Sequence, residues 1–107
     1  MYQERLKIYD EIVALCPNIE RKGKTMPYTS ANGYMFSLLN KNAELGFRFH
    51  KDDCKIFMEK HQTGIYKSHG SVIKDYVLIP EELLSQKDLL AEYLSKSLEH
   101  VMSLPPK

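Results

Sequence analysis

The chain lacks several features by which whole classes of protein are recognised. Its 107 residues include two cysteines, Cys16 and Cys54, which do not form a Cys-x-x-Cys pair. So few thiols, set so far apart, argue against a disulfide scaffold and are typical of a reduced intracellular protein. No apolar run approaches the roughly 20 residues that span a bilayer, and the charged N-terminus lacks the pattern of a signal peptide. These absences predict a cytoplasmic protein that does not contact a membrane.

Charge and glycine content exclude further classes. The net charge of +1 provides no general attraction to nucleic acid or to anionic membranes. The five glycines form neither a Walker-type loop nor a Gly-x-Gly-x-x-Gly loop, so no nucleotide or other cofactor is predicted. With 43% hydrophobic and 27% charged residues, the composition is that of a globular protein, and we expect one domain over residues 1–107.

Hydrophobic periodicity predicts a helix and then a hairpin in the first half of the chain. Apolar residues at helical spacing indicate a helix over residues 3–15. The pair Asn32-Gly33 favours a type I′ turn between a strand over 26–29 and a strand over 34–39. A further strand is predicted at Leu45 to His50, with its apolar residues alternating with polar ones.

The second half predicts two helices and one more strand. A short helix is expected over residues 53–60, with Asp52 or Asp53 as its N-cap, followed by a polar loop over 61–72. A strand over 74–79 leads through Pro80 into a short helical turn. The stretch from Ser85 to Asp88 resembles a capping box for a terminal helix, whose apolar stripe contains Leu90, Leu94, Ser97, Leu98 and Val101. The fold class is therefore α+β: an antiparallel sheet of about four strands flanked by N- and C-terminal helices, in the order α-β-β-β-α-β-α.

Cys54 offers the best case for an enzyme. It lies near the start of a predicted helix, where the helix dipole lowers a thiol pKa, and His50 is near in sequence. However, Asp52 and Asp53 stand beside it and disfavour a thiolate, and a thiol facing the core is the favoured reading. We therefore predict no catalytic residues.

A metal site would need three or four converging ligands. His61 and His69 lie in the predicted loop and could approach His50 and Cys54. Because the sequence contains no compact ligand motif, surface histidines are the favoured interpretation and no metal is predicted.

Two kinds of binding residue stand out. Arg21, Lys22 and Lys24 precede Tyr28, and basic side chains beside an aromatic ring can bind phosphates and stack on bases. The alternative is a solvated connector. Arg48 alternates with the apolar residues of its strand and should project from the opposite face, where it could bind an acidic partner or form a structural salt bridge.

Several segments in order resemble the N-terminal domain of TfoX-type competence regulators. They are the stretch from Tyr28 through Asn32-Gly33 to Phe36, the strand Leu45-Gly46-Phe47-Arg48-Phe49, the corner Tyr76-Val77-Leu78-Ile79-Pro80 and the tail Ser103-Leu104-Pro105-Pro106-Lys107. The resemblance implies a fold similar to that of secretion chaperones, and binding rather than catalysis. Since the family's two-domain members continue into a second domain, the chain resembles a single-domain relative.

We therefore expect a non-enzymatic binding or regulatory module that acts through protein–protein contacts. Its partner would be another protein or a second copy of the chain. One alternative is a small nucleic-acid-associated regulator of transcription or competence that uses Arg21, Lys22, Lys24 and Arg48. A cysteine-dependent enzyme is the other alternative.

Overall fold

A computed structural model describes residues 2–68 and 70–107. Its helices and strands follow one another as α1 (Tyr2–Ala14), β1 (Tyr28–Ala31), β2 (Tyr34–Leu39), β3 (Leu45–Arg48), α2 (Lys51–His61), β4 (Ile65–Ser68), β5 (Ser71–Leu78), a 3₁₀ turn (Glu81–Leu83) and α3 (Lys87–Met102). The α+β class predicted from the sequence is confirmed.

The five strands form one antiparallel sheet in the order β1-β2-β3-β5-β4. Helices α2 and α3 contact its central strands, and Tyr9 of α1 forms a hydrogen bond to Ser37 of β2. All three helices therefore cover the same face, which we call the helix face.

The predicted hairpin is confirmed at its turn. Asn32 and Gly33 have φ angles of 57° and 84°, the left-handed values that a type I′ turn requires. The first strand begins at Tyr28 instead of residue 26, because the backbone of Tyr28 pairs with Lys22 and then with β2.

A bulge in β2 explains the pattern of burial along this strand. Thr29 pairs with Ser37 and Ser30 pairs with Met35, so Phe36 has no partner residue on β1. An extra residue reverses the alternation of side chains beyond it. Phe36 joins the main core, and Ser37 bonds Tyr9 of α1 on the same side.

The main core lies between the helices and the sheet. Phe36, Phe47 and Val77 from the strands are almost fully buried against the helices. The apolar stripe predicted for the terminal helix is confirmed: Leu90, Leu94, Ser97 and Val101 are buried, and Leu98 is half-buried against the core.

A second, smaller cluster lies on the other face of the sheet, which we call the open face. It consists of Leu38, Tyr66 and Tyr76. The ring of Tyr66 lies across Gly46, where a Cβ atom would come within 2.6 Å of it, and the Tyr66 hydroxyl reaches the carbonyls of Leu38 and Glu44. This tyrosine ties the edge strand β4 to the end of β2.

The prediction of a polar loop over residues 61–72 was partly wrong. This segment contains β4 and the start of β5, so the sheet has five strands where about four were expected. The strand was missed because it is short, lies at an edge and exposes Ile65 and Lys67. Only Tyr66 and Ser68 face inward, and two buried residues are too few for a periodicity signal.

The predicted helix caps were also wrong. His50, not Asp52 or Asp53, is the N-cap of α2, and its Nδ1 accepts a hydrogen bond from the backbone N–H of Asp52 at 3.1 Å. At α3 the N-cap is Gln86, whose side chain forms no capping hydrogen bond. Ser85 does not begin the predicted capping box, because its hydroxyl donates to the carbonyl of Glu82 instead.

Candidate functional site

A pocket of about 170 Å³ lies between α2 and α3. Three aromatic rings contribute to its lining: Phe57 of α2, Tyr93 of α3 and Phe49, which follows β3. Their positions follow from helical periodicity, which brings Asp53, Ile56, Phe57 and Lys60 to one side of α2 and Tyr93, Lys96 and His100 to one side of α3. We call this feature the α2–α3 pocket.

The aromatic rings of the pocket hold one another in place. The ring centroids of Phe57 and Tyr93 are 4.9 Å apart in an edge-to-face arrangement, and Phe49 lies 5.5 Å from Phe57. The His61 ring lies tilted against Phe57, with the ring centroids 4.6 Å apart, and its Nε2 shares a hydrogen bond of 2.9 Å with the Tyr93 hydroxyl. Such tilted pairs are favourable beyond their buried area, so the aromatic surface is preorganised.

The rim of the pocket is mainly basic. Lys60 and Lys96 are exposed on opposite sides, and His50 and His100 pack edge-to-face at 5.8 Å at one end. Asp53 is the acidic residue of the lining. The pocket thus combines an apolar interior with a rim in which the two ammonium groups outnumber the one carboxylate.

Two histidines beside the pocket favour the neutral form. Burial lowers the pKa of His100, and the nearby positive charge of Arg48 lowers it further. Burial also lowers the pKa of His61, with a smaller contribution from Lys60. At neutral pH these rings therefore act as aromatic and hydrogen-bonding surfaces, while the lysines carry the charge.

The basic residues predicted near the first strand lie apart from this pocket. Arg21 forms an ion pair with Asp10 of α1 and donates a hydrogen bond to the carbonyl of Gly23 at 3.1 Å. The backbone of Lys22 pairs with Tyr28, and the side chains of Lys22 and Lys24 are exposed. The structure thus ties Arg21 to a carboxylate and leaves two surface lysines.

Arg48 occupies the face predicted for it. It pairs with Tyr76 across β3 and β5, which places both on the open face, while Phe47 and Phe49 lie in the main core. Its guanidinium carbon lies 5.4 Å from the centre of the Tyr34 ring. In the part of the chain that the structure describes, no carboxylate lies within ion-pair distance of Arg48.

Cys54 is arranged as a structural thiol. It is buried and its Sγ donates to the backbone carbonyls of Asp75 and Phe49 at 3.2 and 3.6 Å. Burial raises the pKa of the thiol, so the protonated form is favoured. Over residues 2–68 and 70–107 no imidazole forms a hydrogen bond with it, because His50 caps α2 instead.

The described residues contain no group of three or more histidine, cysteine, aspartate or glutamate side chains that could hold a metal ion. His61 ends α2 and bonds Tyr93, whereas it was predicted in a loop. His69 lies outside the described residues. Within those residues, no helix is long and apolar enough to cross a membrane.

The α2–α3 pocket was missed from the sequence. Most of its residues come from two helices separated by β4 and β5, and their approach depends on how both helices pack on the sheet. A signal was present: Ile56 and Lys60 extend α2 beyond its buried face, and Tyr93, Lys96 and His100 recur at helical spacing in α3. Helical periodicity indicates the two faces but not that they meet.

No family model matches this chain, and neither does any curated protein. The resemblance to the N-terminal domain of TfoX-type regulators therefore stays a prediction.

Proposed function

We propose that this chain is a non-enzymatic binding module that acts through protein–protein contacts. Its receptor site is the α2–α3 pocket, which takes one apolar side chain from an acidic segment of a partner protein. This proposal is supported by the aromatic rings of the pocket, which pack against one another, and by the ammonium groups of Lys60 and Lys96 beside them.

The size of the pocket supports a side chain as its occupant. Sites for drug-sized molecules and cofactors commonly measure about 300–1,000 Å³. The α2–α3 pocket, at about 170 Å³, has room for a single ring or branched aliphatic group. Burial of one such anchor is typical of a protein interface in which a few residues provide most of the binding energy.

The exposed surface of the pocket also supports docking. Ile56 at its edge is 61% exposed although it is a large apolar residue. Lys60 and Lys96 flank the opening and complement a partner with acidic residues beside the anchor. The buried, hydrogen-bonded thiol of Cys54 adds no reactive group, which favours binding over chemistry.

Selection from a displayed library of random peptides tests this function directly. The full chain is the bait, and we expect the selected peptides to share one aromatic or branched aliphatic residue with acidic neighbours. Ile56→Glu should reduce their affinity at least about tenfold, because it brings a carboxylate to the apolar edge of the pocket. Leu15→Glu is the matched control, since Leu15 is similarly exposed, at 50%, and lies outside the pocket.

Selected peptides that bind Ile56→Glu and the wild type equally would contradict the proposal. Peptides without an apolar anchor would do so as well. Self-association that Ile56→Glu abolishes would instead assign the pocket to a second copy of the chain.

A further inference from the structure

The open face holds two buried polar atoms without hydrogen-bond partners. They are the Nε of Arg48 and the hydroxyl oxygen of Tyr76, and they are the only such side-chain atoms in the described residues. Buried polar groups are nearly always satisfied, because leaving one unpaired in the protein interior destabilises the fold. Two of them on adjacent residues therefore indicate a missing partner.

The register of the sheet makes these two residues direct neighbours. Arg48 of β3 and Tyr76 of β5 are directly paired, so their side chains leave the sheet side by side on the open face. Tyr76 is 4% exposed and stacks on Tyr66 at 5.8 Å, which fixes the direction of its ring. The half-buried side chains of Met35 and Ile73 edge this cluster.

Arg48 differs from the other two arginines of the chain. Arg5 forms an ion pair with Glu81, and Arg21 forms one with Asp10. The Arg48 guanidinium instead lies over the ring of Tyr34, and its buried Nε–H has no hydrogen-bond partner in the described residues. A guanidinium remains charged at all physiological pH values, and within the part of the chain that the structure describes this half-buried cation forms no ion pair.

The chemistry of the pair specifies its partner. Arg48 can only donate hydrogen bonds, and burial raises the pKa of Tyr76, so its phenol keeps the proton and can donate too. A planar carboxylate accepts a charge-assisted hydrogen bond on each of its two oxygens. The guanidinium can donate to one of these oxygens and the Tyr76 hydroxyl to the other.

We propose that Arg48 and Tyr76 form a binding site for one carboxylate group from outside the chain. The guanidinium provides the charge and one N–H group, and the phenol provides the second donor. Arg48 and Tyr76 are not among the residues that line the α2–α3 pocket, so separate variants test the two proposals.

The arginine side chains themselves report on the site. In ¹⁵N-labelled full-length protein, titration with acetate should shift the Arg48 Nε–H resonance in a saturable manner. Acetamide is the matched control, because it has the same shape without the charge. The Nε–H resonances of Arg5 and Arg21 provide internal references, since both side chains are already paired with carboxylates.

Tyr76→Phe should weaken acetate binding about tenfold, the usual effect of losing a hydrogen bond to a charged group. The variant should fold as well as the wild type, because the deleted hydroxyl has no partner in the described chain. Ile56→Glu, in the α2–α3 pocket, should leave acetate binding unchanged.

N-acetylglycine, which mimics a peptide C-terminus, distinguishes two sources of the carboxylate. It should bind more tightly than acetate if the natural ligand is a chain terminus, and equally tightly if the site recognises the carboxylate alone.

Three results would overturn the proposal. Acetate and acetamide could shift Arg48 equally, or phosphate could bind and acetate not. Alternatively, Tyr76→Phe could destabilise the protein and leave acetate binding unchanged, which would assign the two polar atoms to an internal water molecule.

Discussion

Because Gly46 has no side chain, the ring of Tyr66 can lie flat over β3, and its hydroxyl can form a hydrogen bond at the end of β2. A methyl group at residue 46 would meet the Tyr66 ring at 2.6 Å, far inside van der Waals contact. We expect Gly46→Ala to lower the free energy of unfolding by about 1–3 kcal/mol, the range for overpacking a buried site. Urea unfolding measures this change.

Gly64→Ala is the matched control for this substitution. A Cβ atom at residue 64 has no neighbour within 4 Å, so this variant should be as stable as the wild type or slightly more stable. Equal free energies of unfolding for the two alanine variants would show that the Tyr66 ring can move away from residue 46 without a loss of stability.

His100 makes stability depend on pH. Burial and the nearby Arg48 lower its pKa from the ordinary value of 6.5, so the unfolded chain binds its proton more readily than the folded one. Stability is then fully present above about pH 6.5 and decreases as the pH falls below it. We expect a smaller loss between about pH 7.5 and about pH 5.5 in His100→Gln than in the wild type.

Urea unfolding at both pH values measures this dependence. His61, whose pKa burial also lowers, should behave in the same way when replaced by glutamine. An identical loss of stability in the wild type and both variants would contradict the assignment.

At the scale of elements, the C-terminal tail is tied to the first hairpin. The side-chain amide of Asn32 donates to the carbonyls of Val101 and Leu104 at 2.8 Å each, and the Tyr34 hydroxyl donates to the carbonyl of Pro105 at 2.7 Å. Leu104 packs against the main core. The tail thus closes one end of the protein and holds α3 against the β1–β2 turn.

Truncation after Met102 should lower the free energy of unfolding by about 1–3 kcal/mol, because it removes the Leu104 side chain and two of these hydrogen bonds. Asn32→Asp tolerates the left-handed backbone but loses the amide donor. The two changes together should cost less than the sum of their separate effects, because they share the bond to Leu104. Full additivity, or an unchanged urea midpoint after truncation, would leave the tail free for another role.

Elements with strong local signals were predictable. The Asn32-Gly33 turn and the stripe of α3 depend on residues close in sequence, and both agree with the structure. β4 is a short edge strand paired with β5, and the contact of its buried Tyr66 with Gly46 is one that no local pattern contains. The cap of α2 is local and was still missed, because a histidine ring nitrogen takes the place of the expected aspartate carboxylate as acceptor for the N–H of Asp52.

At the scale of the whole molecule, the binding features arise from how elements meet. Simple alternation placed Arg48 on its face. Whether its Nε finds a hydrogen-bond acceptor among the described residues depends on their three-dimensional positions, which alternation does not give. The α2–α3 pocket likewise depends on two helices that reach one end of the sheet separately. Sequence patterns thus predicted one residue of a proposed site, but not the site.

The two clusters on opposite faces share the same strands, which predicts that the molecule unfolds as one unit. Phe47 in the main core and Gly46 under Tyr66 are neighbours on β3, so loosening one face must disturb the other. Native-state hydrogen exchange tests this coupling. In Gly46→Ala, the slowest amides of α3 should lose as much protection free energy as urea unfolding reports for the whole protein. Unchanged protection in α3, with a loss confined to β4 and β5, would mean that the open face unfolds on its own. We do not expect this result, because both clusters depend on the same strand: the hydrogen bonds of β3 to β2 and β5 support both faces of the sheet.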